Sequence, residues 1–471
     1  MYQEIAQPHF YTLFDKNIQQ LNKIKSMKPK KNAFGISFVI LISISSMAHA
    51  QTHYTLAHCT EIALRQSLQL KAVTLDFDKA NAGIRQAYSA LLPNISASGS
   101  YQYSPQIQTS ILPASTFGGT EGTYIPARLG IDQTKLVSAE LSQNIYNASA
   151  KIELKAAKVL LAGSQLQIRS SQEDLVYNVA ATYYNIQSLL KQEELSGQSL
   201  QNTETLLKGT SEQLRAGLAT QTDVDRLTVT RDNSKADLEG LQNSKEKYYN
   251  LLKVLMNMPL SESVSIDTFT ENEISHKADS DYDAAKKTNY LQLLQNKRIA
   301  ELEYKNIKAG YLPTVSLYAN YGLYGYNVNA NPFKNINDKL YPASNIGIKF
   351  KISIFDGFNT KYQAQQKQLE IGKLDVQATQ ILQQNDKDVA NARADIRSNM
   401  ITYENQKRNL ALAQKVLADI NQQYQSGIVK VSDVINTTSD LQSAQTKYVT
   451  ALINIKQAEL NLKQAQGTLL P

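Results

Sequence analysis

The amino-acid sequence predicts an α+β membrane protein in which a small amphipathic sheet joins very long helices, and this unit occurs twice. Short motifs of the first half recur in the second half in the same order. No proline lies between Pro126 and Pro259 or between Pro342 and Pro471. Such stretches suit long helices, because a proline inside a helix costs roughly 3 kcal/mol. Four other segments alternate apolar and polar residues, as strands with one apolar face do.

The duplication rests on three pairs of motifs. Leu92-Pro93 recurs as Leu312-Pro313, and Tyr146-Asn147-Ala148 recurs as Phe355-Asp356-Gly357. Leu214-Arg215-Ala216-Gly217 recurs as Tyr424-Gln425-Ser426-Gly427. Because the order and nearly the spacing are kept, we expect the unit to have been duplicated as a whole. The first structural repeat is predicted over residues 51–259 and the second over 260–471.

Residues 1–50 are predicted to be a secretory signal peptide. Lysines cluster between Lys23 and Lys31, an apolar run follows over 33–47, and Ala48-His49-Ala50 is a typical cleavage pattern. Met27 is an alternative start. The apolar run is too short to cross a bilayer as a helix. Removal of this segment takes away much of the formal net charge of +7, so the charge gives no support for nucleic-acid binding.

The first repeat is predicted to contain a helix, strands over about 94–104 and 135–147, and long helices over 148–257. Along the first strand, serines alternate with apolar or small residues at Ile95, Ala97, Gly99 and Tyr101. Along the helices, large apolar residues recur every seven positions, at Leu154, Leu161, Ile168 and Leu175. This spacing indicates coiled-coil packing.

The second repeat is predicted to contain a belt segment over 260–280, a helix over 281–311, strands over about 313–327 and 344–356, and long helices over 358–468. On the last strand, Ile346, Ile348, Phe350, Ile352 and Ile354 alternate with Gly347, Lys349, Lys351 and Ser353. If 358–424 is one continuous helix, its length is roughly 100 Å at 1.5 Å per residue. A helix of that length is far longer than a membrane is thick and indicates a duct.

The four strands have the length of transmembrane β-strands, but four cannot close a barrel. An open sheet edge is not tolerated in lipid, so we expect the chain to share its sheet with other copies, and three copies supply twelve strands. Lys349, Lys351 and Glu140 are predicted to face the wet lumen of this barrel. The connections over 104–133 and 329–343 are predicted to be polar extracellular loops.

Taken together, these features resemble the TolC family of outer-membrane efflux and secretion channels. The resemblance covers roughly Tyr54 to Leu470 and rests on Tyr54-Thr55-Leu56, both Leu-Pro pairs, Phe355-Asp356-Gly357 and the two glycine-centred turns. It implies a homotrimer with a 12-stranded barrel in the outer membrane of a Gram-negative bacterium and a periplasmic α-helical barrel. A mixed belt, to which 258–276 contribute, would surround the middle.

The resemblance also implies partners and a passive role. Such channels need no cofactor, contact outer-membrane lipid, and receive substrate from a periplasmic adaptor protein and an inner-membrane pump of the RND or ABC type. The leading hypothesis is therefore the exit duct of a tripartite efflux or type I secretion system. The alternative is a periplasmic coiled-coil adaptor or structural spacer, which would share the signal peptide and the heptads but not the four strands.

The family's periplasmic gate corresponds to residues around the two repeated turns. They are Asp433, Asn436, Tyr424, Asp223, Thr222 and Val429. Asp433 matches an aspartate ring, with Asn436 in place of a second aspartate. Tyr424 and Asp223 match a link that holds the entrance shut, and Thr222 matches a second link whose arginine is replaced by Val429. Asp223 and Asp433 also lie six residues after a glycine, which suits a helix N-cap.

Adaptor contact is predicted at the turns themselves, through Leu214, Gly217, Leu218, Gly427 and Ile428. The glycines let backbones approach, and the apolar residues would be buried against a partner. Enzyme function is disfavoured, because the sequence has no phosphate-binding loop, no nucleophile elbow and no histidines at metal-ligand spacing. The single cysteine, Cys59, excludes a disulfide within the chain and is predicted to be a buried helical residue.

Overall fold

The computed structural model describes residues 53–269, 282–327 and 339–470. The predicted signal peptide lies outside these ranges, as do parts of the predicted belt and of the second predicted loop. The helices are α1 (Leu56–Gln66), α2 (Leu68–Ser89), α3 (Ala148–Arg215), α4 (Gln221–Leu255), α5 (Thr288–Ala309), α6 (Asn359–Gln425) and α7 (Val431–Gln466). The strands are β1 (His53–Tyr54), β2 (Asn94–Tyr103), β3 (Thr109–Pro113), β4 (Tyr124–Arg128), β5 (Gln133–Tyr146), β6 (Ser265–Ile266), β7 (Thr314–Asn327) and β8 (Leu340–Lys351).

One antiparallel sheet contains the four predicted strands in the order β2-β5-β7-β8. Its register aligns Ile95 with Leu141, Leu141 with Ala319, and Ala319 with Ile346. Residues opposite each other in a ladder point to the same side, so these apolar residues share one face. The outer strands β2 and β8 each have one edge with no strand partner among the described residues.

Strand β8 corrects the sequence-based boundaries. It begins at Leu340 rather than at residue 344 and ends at Lys351 rather than at 356. The early end has a physical cause: Lys351 pairs with Thr314, the first residue of β7, so Ile352 and Ile354 have no neighbouring strand in this chain. On the other side of β7, Val315 pairs with Tyr146 across a bulge, so β5 continues to Tyr146, one residue short of its predicted end.

The first predicted loop contains regular structure. Within residues 104–133, β3 and β4 pair as an antiparallel hairpin with a short 3₁₀ helix over Ala114–Phe117. Pro113 and Pro126 lie inside these five-residue strands. Proline lowers the strand signal of a sequence, and for this reason the pattern suggested only a loop.

The helices form layers that continue the order of the sheet. Near the strands, α2 packs on α3, α3 on α5, and α5 on α6. Because each of these helices directly precedes or follows a strand, the order matches β2-β5-β7-β8. Toward the other end, the order is α4-α3-α7-α6. Helix α6 thus forms one side of the protomer throughout, whereas the other side is α2 near the sheet and α4 farther away.

Two helices run through both layers. Helix α3 has 68 residues and α6 has 67, so each is roughly 100 Å long. The stretch predicted as one helix is continuous through Tyr424, but it begins at Asn359, one residue later than predicted. None of the described helices has both the length and the apolarity needed to cross a membrane.

Heptad positions supply the core between these helices. All four large residues of the α7 repeat are buried, namely Leu441, Tyr448, Ile455 and Leu462. A second cluster joins α1, α3 and α4 around Cys59, Val179, Ile186 and Leu252. Cys59 is buried in α1, as predicted, and this burial raises the pKa of its thiol to about 11.

A small belt element lies beside this second cluster. Strands β1 and β6 pair in parallel, with His53 opposite Ser265 and Tyr54 opposite Ile266. The hydroxyl of Tyr183 on α3 donates a hydrogen bond to the carbonyl of Tyr54 at 3.2 Å. The pairing of β1 with β6 thus ties the first described residues to the predicted belt segment at the start of the second repeat.

Candidate functional site

The candidate site comprises the two turns at the end of the helical layers farthest from the sheet. The α3–α4 turn and the α6–α7 turn have the same hydrogen-bond pattern. Leu218 N donates to Gln213 O at 2.8 Å, and Ile428 N donates to Gln423 O at 2.9 Å. In both turns, the helix that enters the turn therefore ends with a hydrogen bond from a backbone N–H to the carbonyl five residues earlier. This bond gives one of the last carbonyl groups of the helix a partner.

Glycine is required at the centre of each turn. Gly217 and Gly427 both have φ of 73°, a left-handed conformation that costs other L-residues roughly 1–2 kcal/mol. A Cβ added at either position would meet no atom within 4 Å. The restriction is therefore conformational, and the space around each turn is open to a partner.

Two aspartates fix the helices that leave the turns. The Asp223 carboxylate accepts from the backbone N–H of Thr220 at 3.1 Å, and Thr220 Oγ1 accepts from Asp223 N at 3.2 Å. The Asp433 carboxylate accepts from the backbone N–H of Lys430 at 3.1 Å. The N-cap assignment for both aspartates was wrong by three positions, because the N-caps are Thr220 and Lys430. Each aspartate still satisfies a terminal backbone donor, as a carboxylate in the first helical turn does.

Tyr424 connects α6 to α3 through partners that the sequence comparison did not suggest. Its hydroxyl donates to Gln213 Oε1 at 2.9 Å and lies 3.0 Å from Thr210 Oγ1. The carboxylate of Asp223 is hydrogen-bonded to Thr220 instead. The predicted Tyr424–Asp223 pair is therefore not hydrogen-bonded in a single chain, although both residues line one cleft of about 700 Å³.

Positive charge is present in this cleft, although Val429 occupies the position at which the resemblance implies an arginine. Val429 lines the cleft, and so do its neighbour Lys430 and Arg226 on α4. Arg226 also lines a smaller groove of about 370 Å³ between α4 and α7, together with Thr222 and Asn436. The sequence reasoning missed Arg226, although it is the residue of the first repeat that matches Asn436 in the second.

The tips of the turns are apolar and exposed. Leu218 is 80% exposed and Ile428 is 72% exposed, whereas Leu214 is half-buried. Large apolar side chains that project singly from helical tips have no local partner to pack against. This pair is therefore a candidate contact surface for another protein.

The predicted lumen residues lie together on the polar face of the sheet. The register aligns Glu140 with Asn320, and Asn320 with Asn345. Lys349 is aligned with Ser316, and Lys351 with Thr314. These positions alternate along the strands with the apolar residues, so their side chains lie on the opposite face of the sheet. Among the described residues, no group of histidine, cysteine or carboxylate side chains could hold a metal ion.

Known proteins match this sequence and fold over most of their length. A family model described as outer membrane efflux protein matches residues 60–257 and 292–468. Outer membrane protein TolC of Vibrio cholerae is 23% identical over 434 residues, covering 91% of this chain and 94% of that protein. The solved outer membrane protein VceC of Vibrio cholerae superposes with a TM-score of 0.68 at 18% identity, covering 88% of this chain and 96% of that chain. The Campylobacter jejuni CmeC outer membrane channel gives 0.69 at 14% identity, covering 93% and 94%.

Proposed function

The chain belongs to the outer membrane efflux protein family, and we propose that it is the passive exit duct of a tripartite efflux or type I secretion system. It is an outer-membrane protein of a Gram-negative bacterium with a periplasmic extension, and its relatives are channel proteins rather than enzymes. In the proposed system, an inner-membrane pump of the RND or ABC type and a periplasmic adaptor deliver substrate to the duct.

The amphipathic sheet is the observation that carries this proposal. Its apolar face is exposed to an unusual degree for a water-soluble protein, with Ile95 73%, Val137 61% and Ile346 76% exposed. The opposite face carries Glu140 and Lys349. An apolar outside and a polar inside are what a membrane barrel around an aqueous lumen requires. A periplasmic adaptor or spacer has no use for such a face.

The two free edges of the sheet support closure by three copies. Family members are homotrimers, and pairing β8 of one copy with β2 of the next gives a closed barrel of about twelve strands. The helices continue the same seam. On α6, the seven-spaced residues Tyr362, Leu369 and Val376 are 57%, 69% and 59% exposed, and on α2, Leu68 and Leu75 are 65% and 61% exposed. Stripes of this spacing suit packing between neighbouring coiled coils.

The gate is proposed at the paired turns. With three copies around one axis, Asp433 and Asn436 would form rings at the entrance, and a ring of carboxylates favours cations. Tyr424 would hold the entrance narrow through Thr210 and Gln213, because its hydrogen bonds keep α6 against α3. Asp223, Thr222 and Val429 would contribute through the cleft beside them, together with Arg226.

Adaptor docking is proposed at the same end of the molecule. Leu218 and Ile428 would be buried against the adaptor, with Leu214 behind them and Gly217 and Gly427 permitting close approach. The exposed tips and the empty space around both glycines support this assignment.

Single-channel recording of the purified protein in planar bilayers tests the duct. The expected result is a small, stable, cation-preferring conductance. Asp433→Ala should shift the reversal potential toward zero, and Tyr424→Phe should increase the open fraction. A folded trimer that gives no current in any of these variants, even with Tyr424 changed, would contradict the proposal. An unchanged reversal potential in Asp433→Ala would remove that residue from the entrance.

A further inference from the structure

The polar face of the sheet differs between the two halves of the chain. Within β2 and β5, this face carries small hydroxyl residues such as Ser96, Ser98 and Ser138, and no aromatic side chain. In the second half, the register of β7 and β8 places tyrosines on the same face as Asn320 and Asn345. These are Tyr318, Tyr324, Tyr326 and Tyr341, called the tyrosine track below. Within the four strands, aromatic side chains on the polar face therefore belong to the second repeat only.

Two glycines let tyrosine rings lie against the wall of the sheet. A Cβ added at Gly347 would be 2.7 Å from the hydroxyl oxygen of Tyr318 and 2.9 Å from the ring carbon that carries it. A Cβ added at Gly322 would be 3.1 Å from the ring of Tyr324. Each ring thus covers a glycine on one side, and Tyr318 is still 38% exposed. The rings therefore lie along the sheet, each with one side open to the lumen.

The other two tyrosines lie near the end of the sheet farthest from the helices. The rings of Tyr326 and Tyr341 have centroids 6.0 Å apart and planes tilted by 47°, and the two residues are 45% and 48% exposed. From Tyr318 to Tyr326 the track extends roughly 26 Å along β7. With strands tilted by about 40°, this length covers roughly 20 Å of barrel height, most of an apolar band of about 25 Å. The track thus runs along most of the proposed lumen.

Positive charge lies at both ends of the track. At one end, Lys339 Nζ is 5.6 Å from the centre of the Tyr341 ring. At the other end, Lys349 is opposite Ser316 and hence diagonal to Tyr318 in the ladder, a separation that long side chains can bridge. Within the four strands, lysines outnumber carboxylates on this face. Ammonium groups beside open aromatic rings suit an aromatic molecule that carries a negative charge.

We propose that the tyrosine track binds planar aromatic anions, such as aromatic carboxylates and sulfonates, as they leave through the duct. The ring of the cargo stacks on Tyr324 and Tyr341, which are opposite each other in the ladder, and its anionic group pairs with Lys339. Tyr318 and Lys349 form a second position closer to the periplasm. Contact between two aromatic rings contributes roughly 2- to 10-fold in affinity. This inference rests on the proposed barrel and names a substrate class for it.

Weak binding suits an exit duct. A conducting pathway must attract its cargo and still release it, which several weak sites in series achieve. With three copies, three tracks alternate around the barrel with strands that carry serines. The aspartates proposed at the entrance select among free ions at rest, whereas cargo reaches the track after the pump has driven it through the opened entrance.

Ligand-observed saturation-transfer NMR of the trimer in phosphatidylcholine nanodiscs tests the track, with empty nanodiscs as the reference. The probe is naphthalene sulfonate, whose aromatic protons report contact with the protein. The expected result is saturable binding with a Kd on the order of 1 mM. Cyclohexane sulfonate has the charge without the aromatic ring, and naphthylmethylammonium has the ring with the opposite charge. Each should bind at least roughly three-fold more weakly than the probe.

Paired substitutions separate the track from the rest of the lumen. Tyr324→Ser combined with Tyr341→Ser gives these strands the side chains of the first repeat and should weaken binding roughly 10-fold. Phenylalanine at both positions keeps the rings and should leave the affinity within about two-fold. Tyr321→Ser is the matched control, because Tyr321 lies on the same strand but on the apolar face, and it should bind the probe as the unchanged trimer does.

The charge contribution is measured independently of the serine variants, which also decides the case if those variants fail to assemble. Lys339→Gln should weaken binding of naphthalene sulfonate and leave binding of the uncharged naphthalene methanol unchanged. An unchanged affinity for the sulfonate in this variant would contradict the preference for anions.

Other results would overturn the track. Equal binding by the double serine variant and the unchanged trimer would place the probe elsewhere, and equal binding of cyclohexane sulfonate would exclude stacking. A trimer that conducts in planar bilayers but transfers no saturation to the probe would leave the duct standing and remove only the track. Folded trimers that give no current in any variant would contradict the duct itself.

Discussion

The two helical turns share a backbone but differ in the side chains around it. Residues 211–220 and 421–430 have the same exposure class at every matched position, and both central glycines have the same φ. Several matched pairs nevertheless differ in chemistry, among them Leu214 and Tyr424, Thr220 and Lys430, and, in the helices that follow, Arg226 and Asn436. Both turns share a central left-handed glycine and an aspartate that accepts a hydrogen bond from the backbone three residues earlier. The neighbouring positions then determine what each turn contacts.

The largest expected effect would come from the feature that the two turns have in common, their apolar tips. Leu218→Glu combined with Ile428→Glu should weaken binding of the proposed periplasmic adaptor by roughly 100-fold, or about 2.7 kcal/mol. The reason is that each glutamate would bring a charge into a buried apolar contact. Affinity measured with immobilised trimer checks the result.

The matched control keeps the tips apolar, with Leu218→Ile and Ile428→Leu, and should bind as the unchanged protein does. The single glutamate variants sharpen the comparison further. If only one of them weakens binding, the two turns are equivalent in backbone but not in docking. If the double variant binds normally, the adaptor contacts another surface.

A smaller effect is expected from the central glycines. Gly217→Val and Gly427→Val should each destabilise the local turn by roughly 1–2 kcal/mol, because both positions need the same left-handed φ. Hydrogen–deuterium exchange of the two turn peptides measures this directly. Gly→Asn at the same positions is the control, since asparagine tolerates this conformation better. A clear difference between the two valine variants would contradict the shared backbone.

Sequence periodicity was sufficient for the long helices and for the faces of the strands. Heptads such as Leu441 to Leu462 require burial along one stripe, and alternation such as Ile346 to Phe350 requires one face. The partners of Tyr424 could not be obtained in this way. Thr210 and Gln213 lie on a different helix, and which of them reaches the hydroxyl depends on how far α3 and α6 are displaced along each other. That displacement is set by packing over their whole length.

The end of β8 shows a different limit of sequence patterns. Ile352 and Ile354 continue the strand alternation, yet a strand also needs a partner, and β7 supplies none beyond Lys351. Period-two patterning reports which face a residue would occupy, but it does not report where the neighbouring strand ends.

The smallest effect distinguishes the two N-caps. Thr220 accepts a side-chain hydrogen bond from Asp223 N, whereas Lys430 provides no side-chain cap. Thr220→Ala should therefore destabilise the start of α4 by about 1 kcal/mol, which raises local amide exchange about five-fold. Lys430→Ala should leave exchange at the start of α7 unchanged, and Lys430→Thr should slow it. Equal responses to the two alanine changes would mean that the aspartates alone cap both helices, and the turns would then differ only in what they bind.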